Sequence, residues 1–220
     1  MRHFVFDAYG TLFDVHSAAF RHRDSIGANW DRLSQLWRTK HLEYTWIYSQ
    51  VGRHVPFWTL AARSLDYAIA ATGGVSAGVR DELLSAYRSL SAYPEVVSVL
   101  DGLRSSGARL AILTNGDRDM VDEAVTSAGL DGQLDEIITV HEAGVYKPAA
   151  AVYRLACDRF GVAPEAISFQ SSNRWDIAGA KAFGFHCVWI NRQGAPDEYP
   201  DLAADMVVRN LKPLLRLAEG

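Results

Sequence analysis

Short apolar runs that break off in polar residues recur along this chain, with amphipathic segments between them. The runs are His3–Phe6, Ala108–Leu113, Glu136–Val140, Ala166–Phe169 and Cys187–Ile190. Each has the length and composition of a buried parallel strand. The segments between and after them, near 95–105, 118–128, 148–159, 174–183 and 211–218, read as helices. Such alternation predicts an α/β protein with a doubly wound, Rossmann-like parallel sheet. Sheets of this kind bind ligands beyond the carboxyl ends of their strands. Asp7, Thr114, Asn115, Ser171 and Asn173 all fall at such ends.

Residues 15–92 break the rhythm. They hold no strand pattern and read as four helices, near 15–26, 30–50, 56–72 and 77–91. In the third, Phe57, Leu60, Ala61, Leu65 and Ala68 stand close to helical spacing, and Gly73-Gly74 ends the run. Pro94 opens the return to the α/β pattern. The expected organisation is a core of residues 1–14 and 93–220, with a helical cap subdomain, 15–92, inserted after strand one. A module inserted there would lie over the edge where the polar strand ends gather.

Composition narrows the function classes. With 220 residues, 49% hydrophobic and 22% charged, the chain can bury a core without disulfides or a structural metal. A net charge of −4 gives no basic footprint for nucleic acid or an anionic membrane surface. It also means that a small anionic substrate must be held by particular cations. No apolar run approaches the roughly 20 residues of a membrane helix. The N-terminal MRHFVFDAYG has no long apolar leader segment, and Cys157 and Cys187 have no metal-type spacing. The expectation is a cytoplasmic protein with two buried, reduced thiols.

Four motifs carry candidate chemistry. In D-A-Y-G-T-L, from Asp7, a carboxylate ends a strand and Gly10 turns the chain; it projects into a cleft or is a plain turn aspartate. In T-N-G, Thr114 to Gly116 can donate to an anion or simply turn the chain toward a helix. Lys147 precedes Pro148, which suits a first helical turn; the lysine is solvated, or it sits beside the nucleophilic carboxylate and keeps it ionised. In S-S-N-R-W-D, Asn173 can cap a helix with Asp176 in its first turn, or Ser171 and Asn173 face the cleft while Asp176 holds Lys147 or a water.

The order and spacing of these motifs resemble the haloacid dehalogenase superfamily, and within it the L-2-haloacid dehalogenases, from Phe4 to about Leu211. Asp7, Thr114, Lys147 and Asp176 match the superfamily's nucleophile, hydroxyl, lysine and late acidic position. Phosphatases of the superfamily carry D-x-D, where Tyr9 stands here, and G-D-x-x-x-D, where Ser172-Asn173 replace Gly-Asp. Two carboxylates of Mg²⁺ phosphoryl chemistry are thus missing, and halide displacement needs neither a metal nor an acid. The segment Trp37 to Trp46 is similar to the one whose arginine takes the departing halide, which places Arg38 in that role. Tyr9, Leu42, Phe57 and Trp175 match the family's apolar pocket.

The resemblance implies hydrolysis of L-2-haloacids to D-2-hydroxyacids in two displacements. Asp7 attacks the α-carbon and forms an ester, and water then attacks the Asp7 carbonyl. Thr114 and Asn115 hold the substrate carboxylate. Asp176 is the expected base for the second step, with His186, read as opening the last strand, as the other candidate. His41 is expected to face solvent. The resemblance further implies a homodimer, no cofactor and no metal. A phosphatase of the same fold and an interaction protein with a decayed site are the competing readings. Thr114, Thr39, Gln170 and Arg174 depart from the commonest family residues, serine, glutamine, an aliphatic and a smaller side chain.

Overall fold

The computed structural model describes residues 2–218. Six strands form one parallel sheet: β1 His3–Phe6, β2 Arg109–Thr114, β3 Glu136–Thr139, β4 Ile167–Ser171, β5 His186–Ile190 and β6 Met206–Val208. Their order is β3-β2-β1-β4-β5-β6. The chain winds outward from β1 in both directions, so the sheet reverses order at β1. A crevice at that point lies above Asp7, the first residue beyond β1. Phe4, Val5 and Phe6 are fully buried, as are Ile112, Leu113, Phe169 and Val188. Burial on both faces explains why these strands read as unbroken apolar runs.

The core helices are α6 Val96–Ser105, α7 Arg118–Ser127, α8 Ala150–Phe160, α9 Arg174–Phe183 and α10 Leu214–Ala218. Between β1 and α6 stand the inserted helices: α1 Ser17–Arg21, α2 Arg23–Ile26, α3 Trp30–Gln50, α4 Phe57–Ala71 and α5 Ala77–Arg88. The expected first cap helix is therefore two short pieces that break at His22. The chain leaves and re-enters the core through one neck. There Asp14 N–H donates to the Ser91 carbonyl at 2.8 Å, and Tyr93 N–H to the Leu12 carbonyl at 3.0 Å.

Three expectations need correction. β6 was not foreseen, because three half-exposed edge residues carry no periodic signal. β4 runs on through Gln170 and Ser171. Pro148 lies outside α8, whose cap position is Ala149; it follows Lys147 through a cis peptide. Cys157 and Cys187 are free and buried, as read from their spacing.

Candidate active site

Asp7 is fixed by what surrounds the end of β1. Its N–H donates to the Gln170 carbonyl at 2.9 Å, continuing the sheet for one residue. Gly10 then reverses the chain at φ 96°, a conformation that side chains with a Cβ rarely adopt. That turn brings Thr11 back, and its hydroxyl donates to Asp7 Oδ2 at 2.9 Å. Asn173 Nδ2 donates to the same oxygen at 2.8 Å. Lys147 Nζ donates to Oδ1 at 3.2 Å. The Asp7 side chain is 8% exposed, so these donors replace most of its water.

Lys147 has no exposed side-chain surface and lies between two acids, 3.2 Å from Asp7 and 2.9 Å from Asp176. Burial works against its charge, but the two carboxylates outweigh it and hold the ammonium above its ordinary range. Its N–H is bound by Asn115 Oδ1 at 2.9 Å, which ties the lysine loop to the end of β2. Asp176, in the first turn of α9, is fully buried. Its Oδ1 accepts from the Tyr153 hydroxyl at 2.8 Å. Burial lifts its pKa and neighbouring Asp7 adds to the lift, against the pull of Lys147. Close approach of α8 and α9 depends on Gly179, where a Cβ would fall 2.6 Å from both Pro148 Cβ and the Tyr153 hydroxyl.

Asn173 joins the halves of the site. Its side chain does not cap α9, since no side-chain cap bond forms there. Instead its Oδ1 accepts from Arg38 Nη2 at 3.2 Å while its Nδ2 serves Asp7. Arg38 Nη2 also donates to the Tyr9 carbonyl at 2.9 Å. Ser171 is buried beneath, away from the pocket, and its Oγ accepts the Asn173 N–H at 3.1 Å. The pocket above Asp7 is walled by Tyr9, Leu42, Phe57 and Trp175, with Arg38, Thr114, Asn115 and Asn173 supplying polar groups. Every one of these was a sequence candidate. Thr114 keeps its turn, its Oγ1 accepting from Gly116 N–H at 3.0 Å.

The core also holds the cap shut. Asp117, at the start of α7, accepts the N–H groups of Phe57 at 3.1 Å and Trp58 at 2.8 Å. These are the free donors of the first turn of α4, so a core carboxylate caps a cap helix. Arg88 of α5 reaches Asp119 and Glu123 of α7, each at 2.6 Å.

Some sequence assignments fail. His186 opens β5 at its amino end, while Asp7 follows the carboxyl end of β1 in the same parallel sheet. The two lie at opposite edges, and β5 is not the last strand, so His186 cannot activate water at Asp7. His41 does not face solvent: it is fully buried, 3.9 Å centre to centre from the Phe57 ring. Burial pushes its pKa down to about 3, so the ring is neutral. Arg174 turns away from the pocket to bind Asp197 at 2.6 Å and the Tyr199 and Leu202 carbonyls. Gln170 Nε2 donates to Ser168 Oγ of the same strand, while its Oε1 is buried without a partner among the described residues. Thr11, Tyr153 and Asp117 were missed. Thr11 alone had a signal, its place inside the Asp7 motif.

Fold and site together define a class: a capped α/β hydrolase with a buried carboxylate poised beyond its central strand. The chain belongs to the haloacid dehalogenase-like hydrolases, whose family it matches over residues 1–184. It is 44% identical to (S)-2-haloacid dehalogenase 4A of Burkholderia cepacia over 200 residues, 90% of this chain and 87% of the relative. A solved dehalogenase structure superposes with a TM-score of 0.96 at 42% identity, covering 99% of this chain and 96% of that one. The L-2-haloacid dehalogenase of Xanthobacter autotrophicus with chloropropionic acid covalently bound superposes at 0.91 and 33% identity, covering 100% and 99%.

Proposed function

We propose that this chain hydrolyses L-2-haloacids to D-2-hydroxyacids through an ester on Asp7, with inversion. The observation that carries the reading is a single pocket with Asp7, aimed by Lys147, Thr11 and Asn173, and Arg38 beside it. The named activity of the Burkholderia relative and the covalent adduct of the Xanthobacter enzyme support it.

An Asp7 oxygen forms a bond to the α-carbon as the carbon–halogen bond breaks and its electron pair leaves with the halide. Arg38 stabilises the charge that develops there. Thr114 and Asn115 hold the substrate carboxylate, and the walls of Tyr9, Leu42, Phe57 and Trp175 exclude water. Water then attacks the Asp7 acyl carbon and expels the hydroxyacid. One water proton ends on the product hydroxyl, and Asp176 takes the other and passes it to solvent. Lys147, held by Tyr153-anchored Asp176, keeps Asp7 in place for the next turnover.

Two features favour chemistry without a metal or other cofactor. The space between Asp7 and Asp176 is filled by the Lys147 ammonium, and the Tyr9 carbonyl already accepts from Arg38 and Asn173. A divalent cation would meet positive donors where it needs oxygen ligands. The same features count against a phosphatase. We assign residues 15–92 to the cap, because every strand lies outside that stretch. No helix among the described residues is long and apolar enough to cross a membrane. The reading also takes the enzyme as a cytoplasmic homodimer, in keeping with its reduced cysteines.

The test is halide release from both enantiomers of 2-chloropropionate, beside a panel of phosphate esters, before and after dialysis against EDTA. L-2-chloropropionate should give D-lactate, the D-substrate should be inert, and EDTA should change nothing. Phosphate release restored by Mg²⁺ would overturn the reading.

A further inference from the structure

Two cap side chains, Arg38 and Tyr87, meet near the nucleophile and keep donor capacity that no acceptor among the described residues takes up. Arg38 Nη2 is engaged, but Arg38 Nη1 is buried without a hydrogen-bond partner among the described residues. The Tyr87 hydroxyl, from α5, is buried against the same guanidinium, and no acceptor among the described residues takes its proton. Tyr87 is 3% exposed, so bulk solvent does not reach it.

The position of that hydroxyl follows from its neighbours. The Tyr87 ring lies parallel to Tyr9, 5.8 Å between centres, and packs on Trp37 at 4.8 Å. The phenol lies in hydrogen-bond reach of the Arg38 guanidinium and in electrostatic reach of Asp7. Burial holds the phenol above its ordinary range, and its proton stays on at any working pH. Nearby His41 adds no positive charge. Its Nε2 meets the Phe57 carbonyl at 3.2 Å and must carry the ring proton, because a carbonyl only accepts. Buried donors without acceptors, set beside a cation, make a site for an anion.

We propose that the Tyr87 hydroxyl is a second hydrogen-bond donor to the departing halide, acting together with Arg38 Nη1. The inference rests on the dehalogenase reading above. No proton is transferred in this step: the electron pair of the broken bond stays on the halogen, and the phenol donates to it while keeping its proton. Arg38 supplies charge from α3, and Tyr87 a neutral donor from α5. A hydroxyl donor favours small, charge-dense halides, because they are the stronger acceptors. Tyr87 therefore sets leaving-group preference, whereas a packing role would affect all substrates alike.

Tyr87→Phe removes one oxygen and keeps the ring against Trp37 and Tyr9. Single-turnover ester formation would be measured with L-2-chloropropionate and L-2-bromopropionate, together with inhibition by added chloride. The expected losses are about tenfold or more on the chloro substrate and clearly less on the bromo substrate, with chloride inhibition weakened by a similar factor. Equal losses on both substrates with unchanged chloride inhibition would overturn the role of Tyr87. If Tyr87→Phe folds poorly, 3-fluorotyrosine at this position, a stronger donor, should tighten chloride inhibition; no tightening would overturn the proposal equally. Wild-type enzyme that releases no halide from either substrate would remove the dehalogenase reading first, and this inference with it.

Discussion

The Asp117 carboxylate of the core caps the first turn of cap helix α4, accepting the Trp58 N–H at 2.8 Å and its neighbour's at 3.1 Å. The contact spans some sixty residues of sequence and fixes Phe57, a wall of the pocket, relative to the core. Asp117→Ala should cost about 1 kcal/mol of stability, as other lost caps do. It should also raise KM more than it lowers kcat, because the cap closes less firmly over bound substrate. An unchanged KM would show that the cap is held elsewhere.

Lys147 is the single cation between two buried carboxylates. Lys147→Met removes the charge, keeps much of the volume and leaves both acids unpaired. Activity should vanish, and denaturant unfolding should show a loss of about 3–5 kcal/mol. A stable, active Lys147→Met variant would mean that Thr11 and Asn173 alone suffice to hold Asp7.

Oxygen origin distinguishes covalent attack by Asp7 from direct attack by water. One turnover in ¹⁸O-water with enzyme in excess should give unlabelled hydroxyacid and a labelled Asp7 peptide. Repeated turnover should then label the product. Asp7→Asn should be inactive, since an amide is a far weaker nucleophile. Label in the first-turnover product, with none in Asp7, would establish direct attack by water.

Asp176 sets a pH limit on the second step. Burial and the adjacent Asp7 raise its pKa from 3.8 to about 6. Only its ionised form accepts a proton, so the useful form is lost as pH falls through that value. Asp7 is uncharged once esterified, so its share of the lift is absent in the second step and the limb should lie below that value. Ester hydrolysis in single turnover should slow about tenfold per pH unit below the limb. Hydrolysis that shows no acidic limb would assign the base elsewhere.

The pocket wall was legible because motif order supplied what local pattern could not. Tyr9, Leu42, Phe57 and Trp175 look like ordinary core residues until Asp7, Lys147 and Asp176 fix where they converge. Tyr153 stayed hidden for the same reason: on α8 it reads as one more buried aromatic, and only the fold reveals its bond to Asp176. Asp117 stands at the start of its own helix yet bonds the first turn of another, which no local pattern signals. His186 was misjudged because a strand has two ends and only the carboxyl end borders the crevice. His41 looked solvated beside an arginine on a polar helix, yet the α3–α4 contact buries it against Phe57. β6 gave too few residues for any period to register.

The neck at Leu12–Asp14 and Ser91–Tyr93 brings both ends of the inserted helices to one place on the core. Chain leaves and returns at adjacent, hydrogen-bonded points, so the sheet is indifferent to how long the excursion between them becomes. Arg38 and Tyr87 both ride on that excursion, while Asp7, Lys147 and Asp176 stay behind. On the proposed roles, rewriting one contiguous stretch of gene would retune which atom is discarded and leave untouched the residues assigned to making and breaking the ester.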